Sequence, residues 1–197
     1  MAEARTKLVC QGCGHEPAPE EPMPFQCSAR REGDDCDHLL ALQTTQPPPT
    51  LDLGDDDNPF VAFRSRAFSH GRWMASGKSD AAYVALVREI GSAIERVAGT
   101  NFHTTPWCKS TKLGVRFKDE TGNVGGSHKA RHLFGIALAI EVAERTGRLH
   151  TASLGTPERP LAIASCGNAA LAAAMVAKAW GRTLQVFIPD WADPVVV

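Results

Sequence analysis

Residues Lys118 to His132 read KDETGNVGGSHKARH, and this stretch decides how the rest of the chain is read. Lys129 follows Gly125, Gly126 and Ser127, which let a backbone come close to whatever lies there. It stands at the start of an apolar helix pattern running from His128 to about Thr146. Lysine is ordinarily a solvated surface charge. At the mouth of a buried helix it becomes useful by losing its proton and acting as an amine nucleophile. The ordinary use of such an amine is a Schiff base with an aldehyde cofactor. The bland alternative is a capped helix that happens to carry a lysine.

The neighbouring residues make the pattern specific. Glu120, Asn123 and the run Gly125-Gly126-Ser127-His128-Lys129-Ala130-Arg131 resemble the E-x-x-N-P-T-G-S-x-K-x-R signature of the tryptophan synthase β family, the fold-type II pyridoxal-phosphate enzymes. Val124 and Gly125 stand where that signature has Pro and Thr, and His128 is as in the tryptophan synthase β subunit. Ser165-Cys166-Gly167-Asn168-Ala169-Ala170 resembles the family's S-x-G-N-x-A loop, and Thr105-Pro106 its T-P pair.

The resemblance covers about Pro59 to Pro189 and implies an α/β fold, a parallel-sheet three-layer catalytic domain. It implies that Lys129 joins pyridoxal 5'-phosphate, that His128 contacts the cofactor phosphate and that Asn168 donates to its phenolic oxygen. Ser165, Gly167, Asn168 and Ala169 would then receive the carboxylate of a small amino-acid substrate. The implied activity is that of an amino-acid lyase or synthase working by β- or γ-elimination or replacement, similar to threonine synthases or serine/threonine ammonia-lyases. A homo-oligomer is expected when the fold is complete. The family's glycine-rich phosphate cup lies later in its fold, and no such run follows Lys129. Residues 59–197 are therefore expected to be the N-terminal part of the catalytic domain. A reading of another class is a truncated, inactive product acting as a zinc-stabilised interaction scaffold.

Around the lysine loop the pattern is regular. Asp80 to Ala98 reads as a helix with stripes of Val84, Val87, Gly91, Ile94 and Ala98 and of Leu86, Ile90, Ala93 and Val97, capped by Ser79 or Asp80 and ended by Gly99. Leu113 to Phe117 is a strand candidate. Gly147 is expected to stop the lysine helix. Leu161–Ser165, Asn168–Trp180 and Leu184–Ile188 form a βαβ pattern whose first strand should be buried. Its first turn presents backbone N–H groups at a helix N-terminus, an anion site.

The first 45 residues differ. Cys10-Gln-Gly-Cys13 is a thiolate knuckle, and with Cys27 and Cys36 it can close a tetrahedral shell for structural zinc, His15 and His38 being spare ligands. The alternative is a metal-free arm. This zinc-ribbon-like segment resembles the cysteine-rich extension of some threonine synthase-like proteins. Residues 46–58, proline-rich and then acidic, read as a linker that does not pack. Beyond it, in Asn58 to Phe68, phenylalanines should dock on the catalytic domain while arginines face water, which is favoured over an RNA-stacking surface.

A net charge of -1 provides no field to gather nucleic acid or an anionic membrane. The longest apolar stretch, Ala169 to Ala177, is far too short for a bilayer, and Met1 to Cys10 has no signal-like apolar run. A cytoplasmic, reducing setting is expected, so the six cysteines are read as ligands or free thiols.

Overall fold

The computed structural model describes residues 6–18, 21, 24, 26–44, 56–149 and 154–193. Strand β1 (Thr6–Cys10) pairs antiparallel with β2 (Leu40–Thr44), Cys10 opposite Leu40. Two short helices follow, α1 (Pro59–Ala62) and α2 (Phe68–Ala75), joined by a 3-10 turn, and then the long α3 (Asp80–Ala98). A hairpin of β3 (Trp107–Ser110) and β4 (Val115–Lys118) leads into α4 (Lys129–Arg145). The chain then forms β5 (Leu161–Ala164), α5 (Asn168–Trp180) and β6 (Leu184–Phe187), with β5 and β6 parallel.

Periodicity and capping explain the longest helix. The Ser79 hydroxyl accepts from Ala82 N–H at 3.2 Å, and Gly99 closes the end at φ 74°. Its buried face carries Leu86, Val87, Ile90, Gly91 and Ile94, together with Tyr83. Helix α5 packs on both α3 and α4. The core between them holds Phe134, Ala137 and Leu138 of α4 and Ala172 and Val176 of α5. Phe102 and Phe60 close it as an aromatic cluster on Phe134, with ring centroids 4.5 to 5.0 Å apart. Buried Tyr83 and Ser69 share a hydroxyl hydrogen bond of 2.7 Å. Among the described residues no helix is long and apolar enough to cross a membrane.

Several expectations change. Leu113 lies in the turn before β4, and the strand it was to belong to is one arm of an exposed hairpin: Trp107 is 71% and Phe117 47% exposed. β5 alternates half-buried and exposed residues, so it is not a buried strand among the described residues, and its sheet has two strands. Of the expected linker, residues 46–55 lie outside the described residues. Asp56 to Asn58 pack, because short acidic and amide side chains satisfy free N–H groups. Asp57 accepts from Thr104 N–H at 3.1 Å, and Asn58 caps α1 at Phe60 N–H, 2.9 Å. In the next segment Phe60 docks while Phe63 is exposed. Arg64 grips Asp80 through two bonds of 2.7 and 2.8 Å instead of facing water.

The first segment rests on the helices: β1 packs on α2, and Arg72 donates to the Glu21 carbonyl at 2.7 Å. A cavity of about 260 Å³ remains at this seam, between Leu8, Leu40, Phe68 and Val142, so the contact is looser than the core of α3, α4 and α5.

Candidate functional site

The approach to Lys129 is a sequence of backbone turns. Asp119 accepts from both the N–H and the hydroxyl of Thr121, at 2.9 and 2.6 Å. Asn123 N–H reaches the Glu120 carbonyl at 3.0 Å and Gly126 N–H the Asn123 carbonyl at 2.8 Å. Gly125 and Gly126 take φ of 66° and 65°, a left-handed pair that any side chain would strain. The Asn123 amide, buried, donates to the Ser127 carbonyl at 2.7 Å, and its Oδ1 has no partner among the described residues. Lys129 is the first residue of α4, its backbone N–H 3.4 Å from Ser127 Oγ. Its side chain and that of His128 are exposed, and Lys129 Nζ makes no hydrogen bond or ion pair among the described residues.

Behind the loop lies a polar network. Glu120 Oε2 accepts from Arg131 Nε–H at 2.9 Å, and Oε1 from the buried Thr105 hydroxyl at 2.5 Å. Arg131 also reaches the His103 carbonyl at 3.0 Å, and Lys118 Nζ donates to the Thr105 carbonyl at 2.7 Å. Burial alone would raise the Glu120 pKa, but the Arg131 bond, the Thr105 hydroxyl and the charge of Lys118 outweigh it and hold the carboxyl below its usual range. Glu120, Arg131 and Thr105 are motif residues to which sequence reasoning assigned no role. They are separated by 11 to 26 residues along the chain, so only the fold reveals that they meet.

The second turn follows β5. Ser165 N–H donates to the Phe187 carbonyl at 3.0 Å, anchoring the turn to β6. Gly167 begins α5 without a side-chain cap, which leaves N–H groups of the first helical turn free for an anion. Asn168 and Gly167 are exposed, Ser165, Cys166 and Ala169 half-buried. No hydrogen bond among the described residues joins this turn to Lys129. The link is packing, α5 lying against the Val124–Gly126 turn with Met175 Sδ 3.5 Å from where a Gly125 Cβ would stand.

A third cluster lies in the first segment. Cys10 Sγ is 3.6 Å from His38 Nδ1, Cys13 Sγ is 3.7 Å from Cys27 Sγ, and these four donor atoms lie within 4.8 Å of one another. His38 Nε2 meets Asp34 at 2.8 Å. That bond is the main reason the His38 pKa is raised. Cys36, expected as the fourth ligand, belongs to an overlapping group with Asp34 and His38, while His15 is engaged with the Ser28 hydroxyl at 2.8 Å. Gly12 is required at the knuckle, since a Cβ there would stand 2.4 Å from Cys36 Sγ and from the Asp37 carbonyl. Burial raises the Cys27 thiol to about 11. For Cys10 the N–H groups of Cys13 and Gly12 overcome burial and bring it to about 6. Thiols this close do not all ionise unless a cation joins them.

The model of a family described as pyridoxal-phosphate dependent enzyme matches residues 98–197. No curated protein and no solved structure matches the chain.

Proposed function

The chain belongs to the pyridoxal-phosphate dependent enzymes, a fold-type II family, and from that premise we propose that it serves as an amino-acid lyase or synthase, with Lys129 as the attachment point. The observation that carries the reading is an exposed amine without a partner among the described residues, on the first residue of α4 and reached through two left-handed glycines, in a loop whose buried Asn123 Oδ1 is also unsatisfied. The residues present fit the aldehyde end of the cofactor: an exposed amine, a close backbone and an acceptor without a partner among the described residues. The match to an enzyme family does not favour a non-enzymatic scaffold.

When bound, pyridoxal phosphate supplies an aldehyde that an amine can join and a ring that accepts the electrons of the substrate's Cα–H bond. Lys129 Nζ is the amine that would hold the cofactor, and as a free amine it can receive a proton from the substrate's Cα. The N–H groups of Asn168 and Ala169 at the start of α5 would bind the substrate carboxylate, helped by the positive end of the helix. As the motif resemblance implies, Asn168 would donate to the cofactor's phenolic oxygen and His128 would contact its phosphate. Ser127 and Asn123 keep the loop in shape through the 2.7 Å amide bond. The chemistry so supplied would be elimination or replacement at the substrate's β- or γ-carbon, similar to that of threonine synthases or ammonia-lyases.

Borohydride reduction in the presence of pyridoxal phosphate, followed by peptide mapping, tests the reading. The pyridoxyl group is expected on Lys129. Label on Lys78, Lys109 or Lys112 instead would overturn the assignment.

A further inference from the structure

A second chemical centre lies far in sequence from the lysine loop, in a part of the chain that the family match does not cover. We infer that Cys10, Cys13, Cys27 and His38 form a tetrahedral zinc site in which His38 ligates through Nδ1, Asp34 holds the ring from its other nitrogen, and Cys36 stays outside the ligand shell.

The distances argue for it. Zinc bonds of about 2.3 Å to sulfur and about 2.0–2.1 Å to nitrogen, at tetrahedral angles, place two sulfurs about 3.8 Å apart and a sulfur and nitrogen about 3.6 Å apart. The chain sets Cys13 and Cys27 Sγ at 3.7 Å and Cys10 Sγ and His38 Nδ1 at 3.6 Å. These are two opposite edges of one such tetrahedron. What sets the group apart from an ordinary sulfur contact is that all four donors stay within 4.8 Å of one another. Cys36 Sγ leans instead against Gly12 and is not among the four mutually close donors.

The outer contact points the same way. A ligating imidazole needs its second nitrogen fixed, and Asp34 Oδ2 sits 2.8 Å from His38 Nε2, so that in a neutral ring the proton belongs on Nε2 and Nδ1, within 4.8 Å of the three sulfurs, is the nitrogen available to a metal. His38 Nδ1 with three thiolates is a sulfur-rich tetrahedral set that suits zinc. Binding would release the thiol protons to solvent, with no change of oxidation state.

Burial supplies an independent reason. Among the described residues of 6–44 the buried residues are Cys10, Pro24 and Cys27, and the His38 side chain is buried as well, with no aliphatic core, and a two-stranded sheet such as β1–β2 is marginal alone. The two cysteines are buried because they face the site, so the ion takes the place of a core.

The full 197-residue chain, purified without chelator, is expected to contain one zinc per chain, with an X-ray absorption shell of three sulfurs and one nitrogen. Absence of zinc with the thiols of Cys10, Cys13 and Cys27 freely titratable would overturn the site, and a four-sulfur shell would overturn the role of His38. Titration of the chelated chain with cobalt(II) should produce tetrahedral d–d bands with thiolate charge transfer; octahedral spectra would count against the site. Asp34→Asn should weaken zinc binding about 10- to 100-fold in competition with a chelator, whereas Cys36→Ser should leave it unchanged. Equal affinity in Asp34→Asn, or loss of zinc in Cys36→Ser, would refute those assignments even if a ligand variant such as Cys13→Ser fails to fold.

Discussion

Arg131 Nε–H donates to Glu120 Oε2 at 2.9 Å, and this pair joins the two ends of the loop that presents Lys129. Glu120 lies where the loop leaves β4, and Arg131 is two residues beyond Lys129 on α4. The position of the amine is therefore set by a clasp that does not touch it. Both side chains are mostly buried, and Thr105 occupies the second oxygen of Glu120.

Replacing Arg131 by Met should therefore cost about 1–3 kcal/mol, because Glu120 would be left with one strong partner fewer in a partly desolvated place. Urea unfolding should show the midpoint falling with little change in slope. A loss no larger than that of an ordinary surface substitution would mean that the clasp contributes nothing to stability.

Lys129→Ala is expected to behave oppositely. The side chain is exposed and unpartnered, and alanine is the better helix former, so stability should change by no more than about 0.5 kcal/mol. Borohydride-trapped pyridoxyl label should disappear from the peptide. A strongly destabilised variant would show the lysine to be structural.

Phe134 is fully buried against Phe60 and Phe102. Phe134→Ala should cost about 3–5 kcal/mol through lost burial and the cavity left behind, read as a lowered midpoint of thermal or urea unfolding.

Acid should act through Asp80. The two Arg64 bonds, with His70 at 2.9 Å on the same carboxylate, lower its pKa from 3.8 to about 2. A depressed folded pKa contributes stability above the unfolded value and loses it as pH falls through the folded one. Asp80→Asn should be less stable than the natural chain above pH ~4, and the gap should close as pH falls toward ~2. Parallel acid-unfolding curves for the two proteins would contradict this.

Local signals in the sequence carried some of this architecture. Helix α3 was readable because its stripe, its Ser79 cap and Gly99 are all neighbours in sequence, and β5, α5 and β6 lie within a residue of their expected bounds. The hairpin was half read: alternation marked Phe117, but only the pairing of Val115 with Ser110 shows where the strand begins. Asp56 and Asp57 looked like a solvated run because their partners, Arg88 and Thr104, are 32 and 47 residues away. The knuckle Cys10–Cys13 was legible from its spacing. The choice between Cys36 and His38 was not, because it depends on which donor the β1–β2 pairing swings toward Cys10. The lysine, its glycines and Asn123 were all named in advance; that Asn123 keeps one oxygen without a partner could only come from packing.

The family match begins at Ala98, the last residue of α3. Tyr83, Leu86, Val87, Ile90 and Ile94 lie before it, yet they form one core with Phe134, Ala172 and Val176 after it. A border drawn where sequences recur thus cuts through the middle of a packed interior. A piece excised at that border would carry Lys129 and the α5 turn with the face of α5 that α3 covers laid open to water. An autonomous unit has to reach back at least to Ser79, where the helix acquires its cap.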